Sequence, residues 1–375
     1  MLIGIPKEIK PNERRVGLVP ESVAEVIAQG HQVLVETNAG SGIGMNDEAY
    51  LAHGAEIATD AAKVFAKADM IVKVKEPQAV ECAMLRPEQI LFTYLHLAPD
   101  PAQTQGLLDS GCIAVAYETI TQARGGLPLL APMSEVAGRM AVQVGAAALE
   151  DIHGGRGILL GGVPGVEPGK VTILGGGVAG TNAMVMAVGL GAEVAVLDRD
   201  PDKLKHIDEI YKGRVQTVYS TRAAVERHVL SADLVVGTVL IPGAAAPKLI
   251  TRELVNGMKD GSVIVDVAVD QGGCAETTHA TTHNDPTYVV DGVVHYCVAN
   301  MPGGVARTSA LALNNATLPY VLRLAGGGLQ ALLADHHFLN GLNIYSGSVT
   351  NQAVARDLGL TYVDPASLIS KRAVE

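Results

Sequence analysis

From its second residue almost to its last, the chain alternates short β-branched runs with segments of helical pattern, and this rhythm constrains the fold more than any other feature. A sandwich needs evenly spaced strands joined by turns, and a bundle needs sustained helical pattern. Alternating strands and helices instead build parallel sheets whose faces the helices cover. The expected class is therefore α/β. Strands are predicted near 2–5, 32–36, 70–74, 90–94 and 113–117, and a second set near 171–174, 194–198, 215–218, 233–236, 262–267 and 294–298. Pro20 opens one intervening helix, where its missing amide matters little, and Gly30 closes it. Residues 133–153 read as a long helix, 161–169 as a Gly- and Pro-rich bend, and 307–325 as a further helix before a tail of mixed character.

At 375 residues the chain exceeds the length at which one hydrophobic core usually stays single. Two Rossmann-like, doubly wound parallel-sheet domains separated by a cleft are expected: residues 1–130 with 307–375 as one, and 131–306 as the other. The tail is too short to be a domain and is expected to pack on the first lobe.

Composition removes several classes of function. A net charge of -11, no Trp and only 3 Phe disfavour nucleic acid, which needs cationic grooves and aromatic platforms. No apolar run approaches the roughly 20 residues that cross a bilayer. The opening Met-Leu-Ile-Gly-Ile-Pro-Lys-Glu lacks the basic and apolar segments of a secretory signal, so a cytoplasmic protein without membrane contact is expected. Cys82, Cys112, Cys274 and Cys297 are widely separated and read as reduced, mostly buried thiols. No cluster has metal spacing, since His279 and His283 lack a nearby thiol or paired carboxylate, and no metal is expected. The absence of a Gly-x-Ser-x-Gly elbow argues against serine hydrolysis.

Val171-Thr172-Ile173-Leu174 runs directly into Gly175-Gly176-Gly177-Val178-Ala179-Gly180, and an apolar helical run follows. A Gly-x-Gly-x-x-Gly turn in this context needs Gly175 for the tight turn, Gly177 for the approach of a pyrophosphate, and Gly180 for close helix packing. The helix amides beyond it, starting at Val178, favour negative charge. Asp198 stands at the end of the next strand, where a carboxylate bonds a ribose hydroxyl and repels a 2′-phosphate. NAD is therefore the expected cofactor, with the adjacent Arg199 as a counterweight. By itself a glycine-rich turn also joins strand to helix in proteins that bind no nucleotide.

Of the 11 histidines, His96 lies just beyond a predicted strand, at the edge where open α/β sheets bind ligands. His53, His206, His228, His336 and His337 sit in helical or polar settings and read as ordinary surface or packed groups. Lys75 occupies a similar edge, with Lys73 on the same face by strand alternation; the plain alternative is a solvated Lys75 paired with Glu76. In the loop after the first strand, Arg15 or Arg14 has the planar fork that suits a carboxylate. Asp270 closes a late strand of the second lobe, Asp266 competes with it, and turn capping is the plain reading of either.

These residues stand in longer runs: Ile3-Gly4-Ile5-Pro6-Lys7-Glu8, Asn12-Glu13-Arg14-Arg15-Val16, Gly161-Gly162-Val163-Pro164-Gly165-Val166, Asp266-Val267-Ala268-Val269-Asp270-Gln271-Gly272-Gly273-Cys274 and Val298-Ala299-Asn300-Met301-Pro302. Through them the chain resembles the L-alanine dehydrogenase family over essentially its whole length. The resemblance implies NAD-dependent interconversion of L-alanine with pyruvate and ammonium. It implies that Arg15 and Lys75 hold the substrate carboxylate and carbonyl, that His96 is the general acid/base, and that Asp270 is the second essential group. It further implies that Ser134, Asp198, Lys203, Ser220, Val239, Leu240, Val267, Asn300 and Met301 line the NAD site, and that the assembly is a homohexamer. His279 departs from the arginine expected in relatives. The chemistry requires exclusion of water, so closure about a hinge on NAD binding is expected. The nearest rival is the NAD-binding component of nicotinamide nucleotide transhydrogenase, which needs no amino-acid site; a saccharopine-dehydrogenase-like enzyme and a non-catalytic NAD-responsive protein are weaker alternatives.

Overall fold

The computed structural model describes residues 1–239 and 246–372. The chain forms two compact units, Met1–Met133 with Val305–Glu375, and Ser134–Gly304.

In the first unit six parallel strands, β1 (Leu2–Ile5), β2 (Gln32–Glu36), β3 (Glu56–Ala58), β4 (Met70–Val72), β5 (Ile90–Thr93) and β6 (Ile113–Ala116), lie in the order β3-β2-β1-β4-β5-β6. All residues of β4, β5 and β6 are buried, as a parallel strand covered by helices on both faces requires. Two strands from the tail, Leu342–Tyr345 and Ser348–Val349, extend this sheet antiparallel beyond β6, which makes eight strands where the sequence pattern showed five. The three it missed run to 3, 4 and 2 residues, too short to establish a period. The helix expected after Pro20 spans Pro20–Ala28 with proline in its first turn, and Gly30 beyond it has φ +83.

In the second unit the sheet consists of β7 (Lys170–Leu174), β8 (Glu193–Asp198), β9 (Val215–Tyr219), β10 (Leu234–Gly237), β11 (Val263–Asp266), β12 (Thr287–Val290) and β13 (Val293–Tyr296). Its order is β12-β13-β11-β10-β7-β8-β9. The six predicted strands run parallel, and β12 adds a seventh, antiparallel edge through a turn at Asp291 (φ 48) and Gly292 (φ 80). Each sheet is thus parallel with antiparallel edge strands rather than wholly parallel. Alternation divides the core between two layers: Val171, Ile173, Leu234, Val236, Val263 and Val265 pack on one face, and Leu174, Val235 and Ile264 on the other. The helix predicted over 133–153 spans Ala131–Ala148, followed by a separate short turn at Asp151–His153.

Both sheets reverse their strand order once, between β1 and β4 in the first unit and between β7 and β10 in the second. Ligands of doubly wound sheets bind beyond the carboxyl ends of strands at such points. The four cysteines are free and buried, in agreement with the sequence reading. No described helix is long and apolar enough to cross a membrane.

Candidate active site

In the first unit the loop after β1 carries Arg15, the segment leaving β4 carries Lys75, and the turn after β5 carries His96, so all three stand at the carboxyl edge of one sheet. Arg14 is exposed whereas Arg15 is only 2% exposed, which separates two arginines the sequence left equivalent. Glu13 holds Arg15: its Oε1 accepts the backbone N–H at 2.9 Å and Nε at 2.7 Å, and its Oε2 accepts Nη2 at 2.5 Å. Nη1 lies 3.0 Å from Met133 Sδ. The Nε and Nη2 edge of the fork, the edge suited to a carboxylate, is therefore engaged by Glu13 within the protein. Burial pushes the Glu13 carboxyl up, but hydrogen bonds and charge from Arg15 outweigh it, and the group titrates below the ordinary range.

Lys75 is half-buried, and Glu76, its partner in the plain alternative, bonds Lys10 instead. Burial, Arg15 and Lys10 together depress its ammonium below the usual lysine value, against Glu76 and Glu13. Lys73, expected on the same face, is wholly buried between Glu8 and Glu81.

His96 adopts a left-handed backbone, φ 51, unusual for a residue other than glycine. Glu118, just beyond β6, holds it there: Oε1 accepts the His96 N–H at 2.7 Å, and both carboxylate oxygens accept the Leu95 N–H, at 3.1 and 3.2 Å. The same Oε1 lies 3.9 Å from His96 Nδ1. The imidazole stacks on Tyr94 at 5.9 Å and leaves 45% of its side chain exposed. Burial raises the titration of the Tyr94 phenol and the Arg15 guanidinium lowers it, so Tyr94, on which the His96 ring stacks, joins His96 to Arg15. Glu13, Tyr94 and Glu118 were not singled out in the sequence. Glu118 follows a predicted strand at the same carboxyl edge as His96, so the rule that found one would have found the other.

In the second unit each glycine of the turn shows a separate physical requirement. Gly175 has φ +103; a Cβ on Gly177 would meet nothing within 4 Å; a Cβ on Gly180 would lie 1.8 Å from the Gly175 carbonyl oxygen. The turn thus offers open space at Gly177 and leads into the helix Val178–Gly189, whose first amides face outward. Asp198 closes β8 with its carboxylate fixed, Oδ2 accepting Gly176 N–H at 2.6 Å and Oδ1 accepting Asp200 N–H at 2.9 Å. Lys203 Nζ lies 3.8 Å from Asp198 Oδ2. Ser220 follows β9 and donates its N–H to Asp198 O at 2.9 Å, and Val267 follows β11 and donates to Gly237 O at 2.9 Å. Val239, half-buried, follows β10, and Ser134 is half-buried in the helix Ala131–Ala148. Leu240 lies outside the described residues.

The two aspartates left open by the sequence are separated here. Asp266 is fully buried and its oxygens accept the amides of Ala268 at 3.1 Å and Cys274 at 2.8 Å. Asp270 is exposed and accepts the N–H of Asn300 at 3.4 Å, while Asn300 holds φ 56 and its carbonyl faces His283 Nε2 at 3.2 Å. Met301 beside it is 3% exposed. His279 is exposed and stacks on Tyr288 at 3.9 Å. The open cradle at Gly177 and the fixed carboxylate of Asp198 suit a dinucleotide with an unphosphorylated ribose.

A glycine-cradled turn with a terminal acid in one unit, and a cluster of Arg, Lys and His at a sheet edge in the other, define an α/β protein of the dinucleotide-dependent dehydrogenase class. Family models described as Alanine dehydrogenase/PNT, N-terminal domain, and Alanine dehydrogenase/PNT, C-terminal domain, match residues 4–137 and 141–352. An alanine dehydrogenase from Halomonas elongata is 59% identical over 370 residues, 98% of this chain and 100% of the relative. Among solved structures, an L-alanine dehydrogenase superposes with a TM-score of 0.93 at 51% identity, covering 96% of this chain and 99% of the other. A transhydrogenase from Sinorhizobium meliloti superposes with a TM-score of 0.80 at 27% identity, covering 94% and 100%. The chain belongs to the alanine dehydrogenase/PNT family.

Proposed function

We propose that this chain is an NAD-dependent amino-acid dehydrogenase that interconverts L-alanine with pyruvate and ammonium. The observation that carries the reading is the clustering of Arg15, Lys75 and His96 at the carboxyl edge of the first sheet, in a chain 59% identical to an alanine dehydrogenase along its length. The first unit is read as the substrate domain and the second as the NAD-binding domain. NAD, when bound, supplies the acceptor for the hydride that leaves the α-carbon of alanine.

Arg15 and Lys75 orient the carboxylate and the carbonyl oxygen of the substrate, and Lys75 offsets the charge that develops on that oxygen as ammonia adds to pyruvate, before water leaves and hydride reduces the resulting iminium. His96 moves the proton, deprotonating the amine or the attacking water in one direction and returning it in the other. Asp270 is read as the second essential group. Gly175, Gly177, Val178, Gly180, Asp198, Lys203, Ser220, Val239, Leu240, Val267, Asn300, Met301 and Ser134 are read as the lining of the NAD site. A cytoplasmic homohexamer is the assembly the family relationship favours, which light scattering after size exclusion tests.

The decisive assay follows NADH absorbance with pyruvate and ammonium. A folded sample that binds NADH without turnover overturns the proposal in favour of a hydride carrier or a binding protein. One pH dependence follows from Lys75. It holds substrate only while protonated, and its folded-state titration lies below 10.5. The charge is lost as pH rises through that lowered value, so KM for pyruvate is expected to climb on the alkaline side, by up to about tenfold per pH unit. Lys75→Arg stays charged and is expected to flatten the climb; a wild-type KM that is constant up to pH 10.5 contradicts the assignment.

A further inference from the structure

Lys73 is buried with its ammonium 3.0 Å from Glu8 Oε2 and 2.7 Å from Glu81 Oε1, and neither carboxylate side chain is more than 2% exposed. Two carboxylates and one ammonium taken out of water are costly, and well-packed apolar residues of similar volume often serve stability as well or better. The backbone around Lys75 shows what the charges accomplish.

β1 ends at Ile5 and pairs with β4 only through Ile3 and Gly4, opposite Met70 and Ile71. The chain leaving β4 through Lys73, Val74 and Lys75 therefore lacks a paired strand on that side. Glu8 supplies the acceptor that a strand would have offered: its Oε1 accepts the N–H of Val74 at 2.6 Å and of Lys75 at 3.4 Å. On the other side, Phe92 O accepts the Lys73 N–H at 3.1 Å and Tyr94 donates its N–H to Val74 O at 3.3 Å. Tyr117 Oη donates to Lys73 O at 3.0 Å, and Thr93 Oγ1 donates to Lys75 O at 2.9 Å. Every backbone polar group of these three residues thus has a partner, and four of the six are served by side chains. Lys73 fixes the other oxygen of Glu8, and Glu81 completes the node by accepting the Gln78 N–H at 2.8 Å through Oε2.

We infer that Glu8, anchored by Lys73 and Glu81, is a positioning residue that stands in for a missing strand edge and fixes where Lys75 leaves the sheet. The inference rests on the reading of Lys75 as a substrate-binding group. It requires an acceptor at residue 8, with the buried charges serving to hold that acceptor in place.

Two triple variants that differ only at residue 8 test it. E8Q/K73M/E81Q keeps an amide oxygen for the Val74 and Lys75 amides; E8L/K73M/E81Q removes it. Both are expected to bind NADH as the wild type does, with pyruvate KM within about threefold of wild type in the Gln variant and raised about tenfold or more in the Leu variant. Equal KM values in the two variants overturn the inference. A second readout does not depend on turnover: the rate at which acetic anhydride acetylates Lys75, relative to exposed Lys63, measured by peptide mass spectrometry. That rate is expected to differ at least about twofold between the variants, because restraint of the segment sets access to the amine; equal rates overturn the inference. A wild type inactive on pyruvate removes the proposed function, and the labelling comparison still decides the positioning role. Should the Leu variant fail to fold, E8M/K73M/E81Q, which likewise removes the carboxylate or amide oxygen at residue 8, takes its place with the same expected rise in KM and change in labelling, and values equal to those of the Gln variant for both overturn the inference.

Discussion

His96→Ala is expected to lower kcat for the reduction of pyruvate with ammonium by about 10²- to 10⁴-fold, the usual contribution of a positioned acid/base group. NADH affinity is expected to stay within about twofold of wild type, because a transition-state interaction is removed and not a binding one. The structure favours so clean a separation. The backbone at residue 96 is held by Glu118 through the N–H groups of Leu95 and His96, and alanine retains both bonds. The imidazole is 45% exposed and stacks on Tyr94, so its removal opens no core cavity. A melting temperature within a few degrees of wild type, from calorimetry, confirms that the fold survives. A variant with wild-type turnover ends the assignment of His96 as acid/base.

The legible part of this molecule was the part written in long apolar runs. β4, β5, β6, β10 and β11 are buried at every position, and a run of aliphatic residues bounded by glycine and charge can hardly be anything else in an alternating chain. The glycine turn was legible for a similar reason: φ, open space and close packing each demand glycine at its own position. Edge strands carry no such signal. Glu56–Ala58 and Ser348–Val349 take their conformation from the strand beside them, while β12 could have been found from the Asp291-Gly292 pair, a hairpin signal in the sequence. Charged residues were the least legible. Alternation placed Lys73 and Lys75 on one face, yet regular pairing ends at Val72, and one lysine is sealed between two carboxylates while the other is half-buried. Which of Arg14 and Arg15, or of Asp266 and Asp270, is buried depends on partners such as Glu13 and the Cys274 amide, fixed only once the loops have closed.

Gly180→Ala is expected to damage both stability and NADH binding, and comparison with Gly177→Ala separates the two effects. A Cβ at residue 180 would lie 1.8 Å from the Gly175 carbonyl oxygen and 2.7 Å from Thr238 Oγ1. Neither atom can yield easily. The carbonyl is backbone in the tight turn, and the Thr238 hydroxyl is bonded to Leu174 O and Gly175 O, each at 2.9 Å. The helix Val178–Gly189 must therefore lift from β7, and Gly180, Ala183, Met184 and Ala187 are the residues it buries. Overpacking of this kind typically costs about 1–3 kcal/mol, and a contact so close with backbone points to the upper end. NADH affinity is expected to fall more than about tenfold, since the amides that face a pyrophosphate move with the helix. Gly177 has φ -75 and open space around its missing Cβ, so alanine there is expected to leave the melting temperature nearly unchanged and to weaken NADH binding alone. Thermal melts and NADH titrations of the two variants decide the matter: a Gly180→Ala protein as stable as wild type would show that the helix does not depend on this contact, and a Gly177→Ala protein with undiminished affinity would show that no phosphate approaches the turn there.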